Sequence, residues 1–166
     1  MIPQQDIPQP EIDMSLFETN PVPAANFAND SLDALIDLHT ISVDTRRGYD
    51  KMADRAEASF RPTVERFVAL HTRHAARLDR MVREMGAVPD AGGSFMGTVN
   101  RTVVAVRAFF DDIDADTMTQ IRSGEDHVLA AFDRAIAASL PQGHRAALDD
   151  MRAELSSLLA ATRSVG

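Results

Sequence analysis

Two histidines, His71 and His74, stand three residues apart in the stretch FVALHTRHAARLDRMVREM, residues 67–85. On a helix, residues three and four apart share a face, so this spacing aligns the two imidazoles. Phe67, Leu78, and Met81 or Val82 fall on the same face, which makes it a core face rather than a solvated one. Carboxylates able to meet the imidazoles come from other stretches: Asp50 in GYDKMADRA and Glu125 in GEDHVLAAFDRAI. Asp50, His71 and Glu125 each lie about nine residues from the same end of the bundle, roughly 14 Å in at 1.5 Å per residue. Carboxylate and imidazole together suit iron, manganese or zinc. One reading is therefore a partial metal site for a single divalent cation, made by Asp50, His71 and Glu125 with His74 at its margin. The other is a buried polar network, Arg46 with Glu125 or His71 with Asp50, because buried charges need partners. One turn deeper, His74 is expected to face Arg46 or Arg47 and Met151 or Arg152.

These residues need helices to position them, and the chain supplies helices throughout. Leu32, Leu35, Ile36, Val43, Ala53, Ala56 and Phe60 recur at helical spacing, predicting a helix over 31–58 capped by Asp30 or Ser31. Gly48 in its middle costs about 1 kcal/mol relative to Ala and suggests a close helix approach beside Tyr49. Pro62 suits the start of a second helix that runs to Met85, with Gly86 as its C-terminal stop. Val64, Phe67, His71, His74, Leu78, Met81 or Val82, and Met85 form its buried stripe. Ser94 to Phe110 reads as a third helix after the loop 87–93. Met118, Ile121, Glu125, Val128, Phe132 and Ile136 mark a fourth, from about Asp116 to Ser139. Leu148, Met151, Leu155, Leu158 and Thr162 mark a fifth, from about His144 to Arg163. The third helix is long enough to carry the chain back across the bundle, so the fourth runs parallel to the second. Two antiparallel hairpins joined by one long crossover is the ferritin-like arrangement of a four-helix bundle.

Residues 1–30 differ in kind. Five prolines (Pro3, Pro8, Pro10, Pro21 and Pro23) interrupt a polar stretch, predicting a disordered tail ahead of one domain at 31–166. Met14, Leu16, Phe17 and Phe27 give the tail the apolar points of a docking segment. At 166 residues the chain is long enough for one domain with a sizeable core.

Charge and composition exclude several classes. The net charge of −8 argues against nucleic acid and against anionic membrane. The absence of cysteine removes disulfides, thiolate metal sites and Cys nucleophiles. The N-terminus lacks the basic and apolar regions of a signal peptide and no apolar run spans a membrane, so a cytoplasmic location is expected. His39 and His127 read as single surface histidines. The acidic run DDIDAD, 111–116, lacks the glycine and closing glutamate of a calcium loop and reads as a solvated capping loop. HTRHAARL does not match the exposed-histidine surroundings of a phosphotransfer bundle. No phosphate loop or nucleophile elbow is present.

The segments GYDKMADRA (48–56), VREMGAVPDAGGS (82–94), GEDHVLAAFDRAI (124–136) and SLP (139–141) together resemble a bacterial family of ferritin-like four-helix bundles catalogued as a domain of unknown function. The resemblance covers about residues 31–164. It implies the bundle fold and a superfamily whose other members bind di-iron or di-manganese, and it implies no activity. The ferritin-type centre needs a Glu from each of two helices and Glu-x-x-His from the other two. This chain departs from that rule: Val68 precedes His71 by three residues, His71 itself precedes His74 by three, and the last helix has no histidine beyond His144. The resulting expectation is an all-α, ferritin-like bundle protein, non-enzymatic, acting by self-association or a protein partner, in a role such as stress response. The alternative is a metal-binding or redox protein using Asp50, His71, His74 and Glu125 for Fe, Mn or Zn.

Overall fold

A computed structural model describes residues 24–89 and 113–162, with side chains in the first span from Asn29 onward. Four α-helices account for nearly all of these residues: α1 Ala24–Arg55, α2 Arg61–Glu84, α3 Met118–Ala137 and α4 Gln142–Ala161. No strand occurs among the described residues, and the one isolated bridge pairs Ala56 with Ile113. The helix expected over 94–110, the tail at 1–23 and the start of the acidic run lie outside the described residues.

α1 begins at Ala24, seven residues ahead of the expected Ser31. Ala24, Ala25 and Ala28 are strong helix formers, and they extend the helix back to the residue after Pro23. Asp30 and Ser31 therefore stand inside the helix instead of capping it. Gly48 has open space where a Cβ would be, so it marks no close approach of helices. α2 ends where Gly86 predicted, at φ +85°. Gly86 N–H donates to Arg83 O at 2.9 Å and Ala87 N–H to Val82 O at 3.1 Å. This paired closure satisfies two of the carbonyls left open at a helix C-terminus, and it needs a left-handed residue. The acidic run does cap: the Asp114 carboxylate accepts from Asp116 N–H at 2.9 Å and leads into a single 3-10 turn, Ala115–Thr117, ahead of α3.

The helix directions follow from contacts at the ends. Glu57 N–H donates to Ile113 O at 3.0 Å, so α3 starts beside the end of α1, where α2 also starts. His144 meets Glu84 at 2.9 Å, placing the start of α4 at the end of α2. Arg122 donates to Thr162 O at 2.9 Å at the opposite end. Hence α2 and α3 run parallel, and α1 and α4 run against both. The chain leaves α2 at one end of the bundle and re-enters at the other, the connectivity that the sequence predicted. Neighbouring pairs are α1–α2, α1–α3, α3–α4 and α2–α4, which leaves α2 facing α3 across the diagonal.

The core is filled by Leu35, Leu38, Met52, Phe60, Val64, Phe67, Leu78, Val82, Ile121, Phe132, Leu148, Met151 and Leu155, all buried. Each fully buried Leu or Phe contributes on the order of 1.5–3 kcal/mol relative to exposure. Through the middle of this apolar packing runs a polar layer.

Candidate functional site

Glu125 on α3 is fully buried, and its Oε1 is the hub of the layer. Tyr49 of α1 donates its hydroxyl to that oxygen at 2.5 Å. His71 of α2 meets the same oxygen through Nε2 at 2.8 Å. With Glu125 ionised and the imidazole neutral, Nε2–H is the donor and Nδ1 is left as a bare acceptor. The His71–Glu125 bond crosses the bundle diagonal, and the Tyr49–Glu125 bond joins adjacent helices. Three helices are thus tied at one carboxylate. Burial, with Glu125 beside it, pushes the Tyr49 hydroxyl well above the usual tyrosine range.

Ring packing holds the members in place. Tyr49 stacks between Phe67, at 5.1 Å between centroids, and His71, at 5.5 Å. His71 meets His74 edge to face at 6.1 Å, and His74 meets Phe132 in the same manner at 5.7 Å. His74 Nε2 lies 3.1 Å from Glu154 Oε2 on α4, and Arg77 donates to the other oxygen of that carboxylate at 3.2 Å. Glu154 is partly exposed, so this second pair leads from the core to solvent. Burial lowers the His74 pKa from 6.5 to about 4, against the opposing pull of the Glu154 hydrogen bond.

Among the described residues, five buried polar side-chain atoms have no partner: Glu125 Oε2, His71 Nδ1, His74 Nδ1, Ser42 Oγ and His144 Nδ1. Such orphans cost on the order of 1–3 kcal/mol each in a dry core. Three of the five, Glu125 Oε2, His71 Nδ1 and His74 Nδ1, lie in the polar layer, where the ring nitrogens are acceptors when Nε2–H faces the carboxylate.

The structure brings together three of the four residues expected at a metal site, although not as one ligand set. His71 and Glu125 meet, and His74 packs against His71 while turning its Nε2 to Glu154. Asp50 departs: it accepts from Arg46 at 2.8 Å near the surface, with its side chain 45% exposed. Arg46 is therefore not the partner of Glu125, nor does it face His74. Among the described residues, no three His, Asp or Glu side chains are grouped to hold a metal ion. His39, read as a surface residue, is buried on α1. His127 is exposed as expected.

The sequence reading missed Tyr49 and Glu154 as members of the layer. The signal for Tyr49 was a seven-residue line through Leu35, Ser42, Tyr49 and Ala56, all of them buried. Asp50, one position on, is rotated by about 100° away from the core. Glu154 adjoins Leu155 on the flank of the α4 stripe, where a long side chain can reach inward.

A family model described as "Domain of unknown function (DUF2383)" matches residues 30–138. The chain belongs to this family. The DUF2383 match spans α1, α2 and α3, and so takes in Tyr49, His71, His74 and Glu125, while Glu154 falls beyond it. No curated protein matches the chain significantly.

Proposed function

We propose that this DUF2383 protein is a bundle of ferritin-like topology that works by association, assembling with further copies of itself, and not by turning over a substrate. One observation carries the reading. The groups best suited to chemistry, His71 and Glu125, are sealed at 0% exposure and engaged with Tyr49, where no substrate reaches them. A buried carboxylate tied to three helices instead fixes which helices pair and in what register, a use of buried polar groups seen in helical assemblies. Function is then left to the outer surface, where charge is sorted by helix. α2 carries six arginines against three acidic residues, whereas α1, α3 and α4 each carry more acidic than basic residues. Light scattering on the full chain tests the reading: an assembly heavier than one 18.1-kDa chain is expected.

A second reading is favoured by the unpartnered acceptors Glu125 Oε2, His71 Nδ1 and His74 Nδ1. A two-metal ferritin-type centre does not fit these residues, because neither Glu-x-x-His motif is present and Asp50 points away. A single Fe, Mn or Zn ion would draw on Glu125 and the imidazoles, supplying positive charge to a layer rich in bare lone pairs. Elemental analysis of untagged, dialysed protein before and after reconstitution, beside His71→Ala, decides it. Near-stoichiometric metal that vanishes in the variant establishes the ion, and no uptake in either sample removes this reading.

A further inference from the structure

In an acidic protein, α2 is the one described helix with a net positive charge, and that charge is arranged along a line. Arg66, Ala69, Arg73, Ala76 and Arg80 follow one another at alternating three- and four-residue steps along its outer face, and all are exposed. The arginines stand seven residues apart, about 10.5 Å at 1.5 Å per residue, with small residues between them. Arg66 and Arg80 have no ion-pair partner among the described residues, and Arg73 reaches Glu154 of α4 only at 4.0 Å. The ridge therefore lies on the side of the bundle where α2 meets α4.

The opposite side carries the complement. An open cavity of about 260 Å³ lies between α1 and α3, lined by Asp30, Asp33, Ala34, Asp37, Ala131 and Arg134. Its three aspartates are exposed, and none is ion-paired among the described residues. Three carboxylates against one guanidinium leave the cavity net negative, and its volume admits the tip of an arginine side chain. Asp30 and Asp37 are seven residues apart, the same ~10.5 Å as the ridge arginines. Asp44 continues their line one step on, paired with Arg47 at 3.5 Å. Carboxylates of an α1 can thus fall opposite the guanidiniums of an α2 laid alongside it, more than one at a time. A single exposed pair contributes little, so the matched repeat carries the contact. The two surfaces of one chain do not meet, because the α1–α3 and α2–α4 pairs are opposite edges of the bundle. Apolar burial offers no rival contact among the described residues, where Val88 is the only large apolar side chain left exposed.

We propose that the arginine ridge of α2 in one copy docks on the acidic cavity between α1 and α3 of a second copy. This rests on the association proposed above and names the two surfaces that make it. Because the surfaces are unlike and face opposite ways, a pair of joined copies still presents one free ridge and one free cavity. Such head-to-tail contacts build rings or open chains of three or more copies, and not a two-fold dimer. Opposite potentials steer the encounter and fix its register, with a strength that falls as salt rises.

Charge reversal on each surface, read by light scattering of the full chain, tests the contact. The cavity variant carries Asp30→Lys, Asp33→Lys and Asp37→Lys, and the ridge variant carries Arg66→Glu, Arg73→Glu and Arg80→Glu. All six side chains are exposed, so helix content by circular dichroism should be unchanged. At low salt the native protein should exceed the mass of two 18.1-kDa chains. It should fall toward one chain at ~0.5 M salt, where the screening length is a few ångströms. Each variant alone should remain a single chain. Mixed in equal amounts they should assemble again, because the cavity variant keeps a native ridge and the ridge variant a native cavity. Both variants stay net acidic, starting from −8, so overall attraction between them does not explain recovery. If a reversed variant loses helix, Asn or Gln at the same positions carries the test, and each neutral set should also lower the mass. A native assembly that both variants reproduce alone, or one that stops at two copies, would overturn the contact and leave association standing. A native single chain at every concentration would remove both.

Discussion

Replacing Glu125 by Ala probes the hub of the polar layer. The substitution removes the acceptor shared by the Tyr49 hydroxyl and His71 Nε2, and both donors remain in a core with no access to water. Each stranded donor costs on the order of 1–3 kcal/mol, so the two together cost roughly 2–6 kcal/mol. Against the usual 5–15 kcal/mol of a domain this size, that loss is visible in urea unfolding followed by far-ultraviolet circular dichroism. The informative control replaces the whole network at similar volume: Tyr49→Phe, His71→Leu and Glu125→Met together. With no donor or acceptor left to strand, that variant should unfold within about 1–2 kcal/mol of the native protein, or be more stable than it. The large difference between the single and triple variants is the signature of coupled residues. A Glu125→Ala loss under about 1 kcal/mol, or a triple variant as unstable as the single, would refute the reasoning about the layer.

Other consequences follow from the same geometry. Because the His74 pKa falls from 6.5 to about 4 on folding, the fold favours the neutral ring, so its contribution is complete above pH 6.5 and is lost as pH falls toward 4. After allowance for the partly exposed Glu154 beside it, about 2 kcal/mol of acid destabilisation is expected from this ring, and His74→Leu should flatten the stability profile across that window. Tyr49 is the sole tyrosine and there is no tryptophan, so alkaline absorbance titration reports it alone. Its phenolate should appear together with loss of helix, and ionisation near pH 10 with the helices intact would contradict its burial. Gly86→Ala should cost on the order of 1 kcal/mol in the same urea assay, because φ +85° strains any residue with a Cβ.

Much of this architecture is legible in the residues. The stripe Val64, Phe67, His71, His74, Leu78 predicted the buried face of α2, and Leu148, Met151, Leu155, Leu158 that of α4, because long periodic apolar runs leave little choice of phase. The level of the polar layer was also legible, since rise per residue is uniform and placed His71 and Glu125 opposite one another. The phase of α1 was not. Its stripe is weakened by Ser31, His39 and Ser42, all buried polar residues, and an error of one position exchanges Tyr49 for Asp50. Periodicity sees hydrophobicity, so it is least reliable where a core is built from polar side chains. The start of α1 was hidden for another reason: a good capping pair, Asp30 and Ser31, occurs inside a helix whose first turn is rich in alanine.

Sedimentation equilibrium on the full chain, native and with the Tyr49, His71 and Glu125 triple replacement, tests the central claim most directly. If the polar layer only organises the bundle and the protein works by association, both samples should show the same multiple of 18.1 kDa. A single 18.1-kDa chain at every concentration would contradict the account.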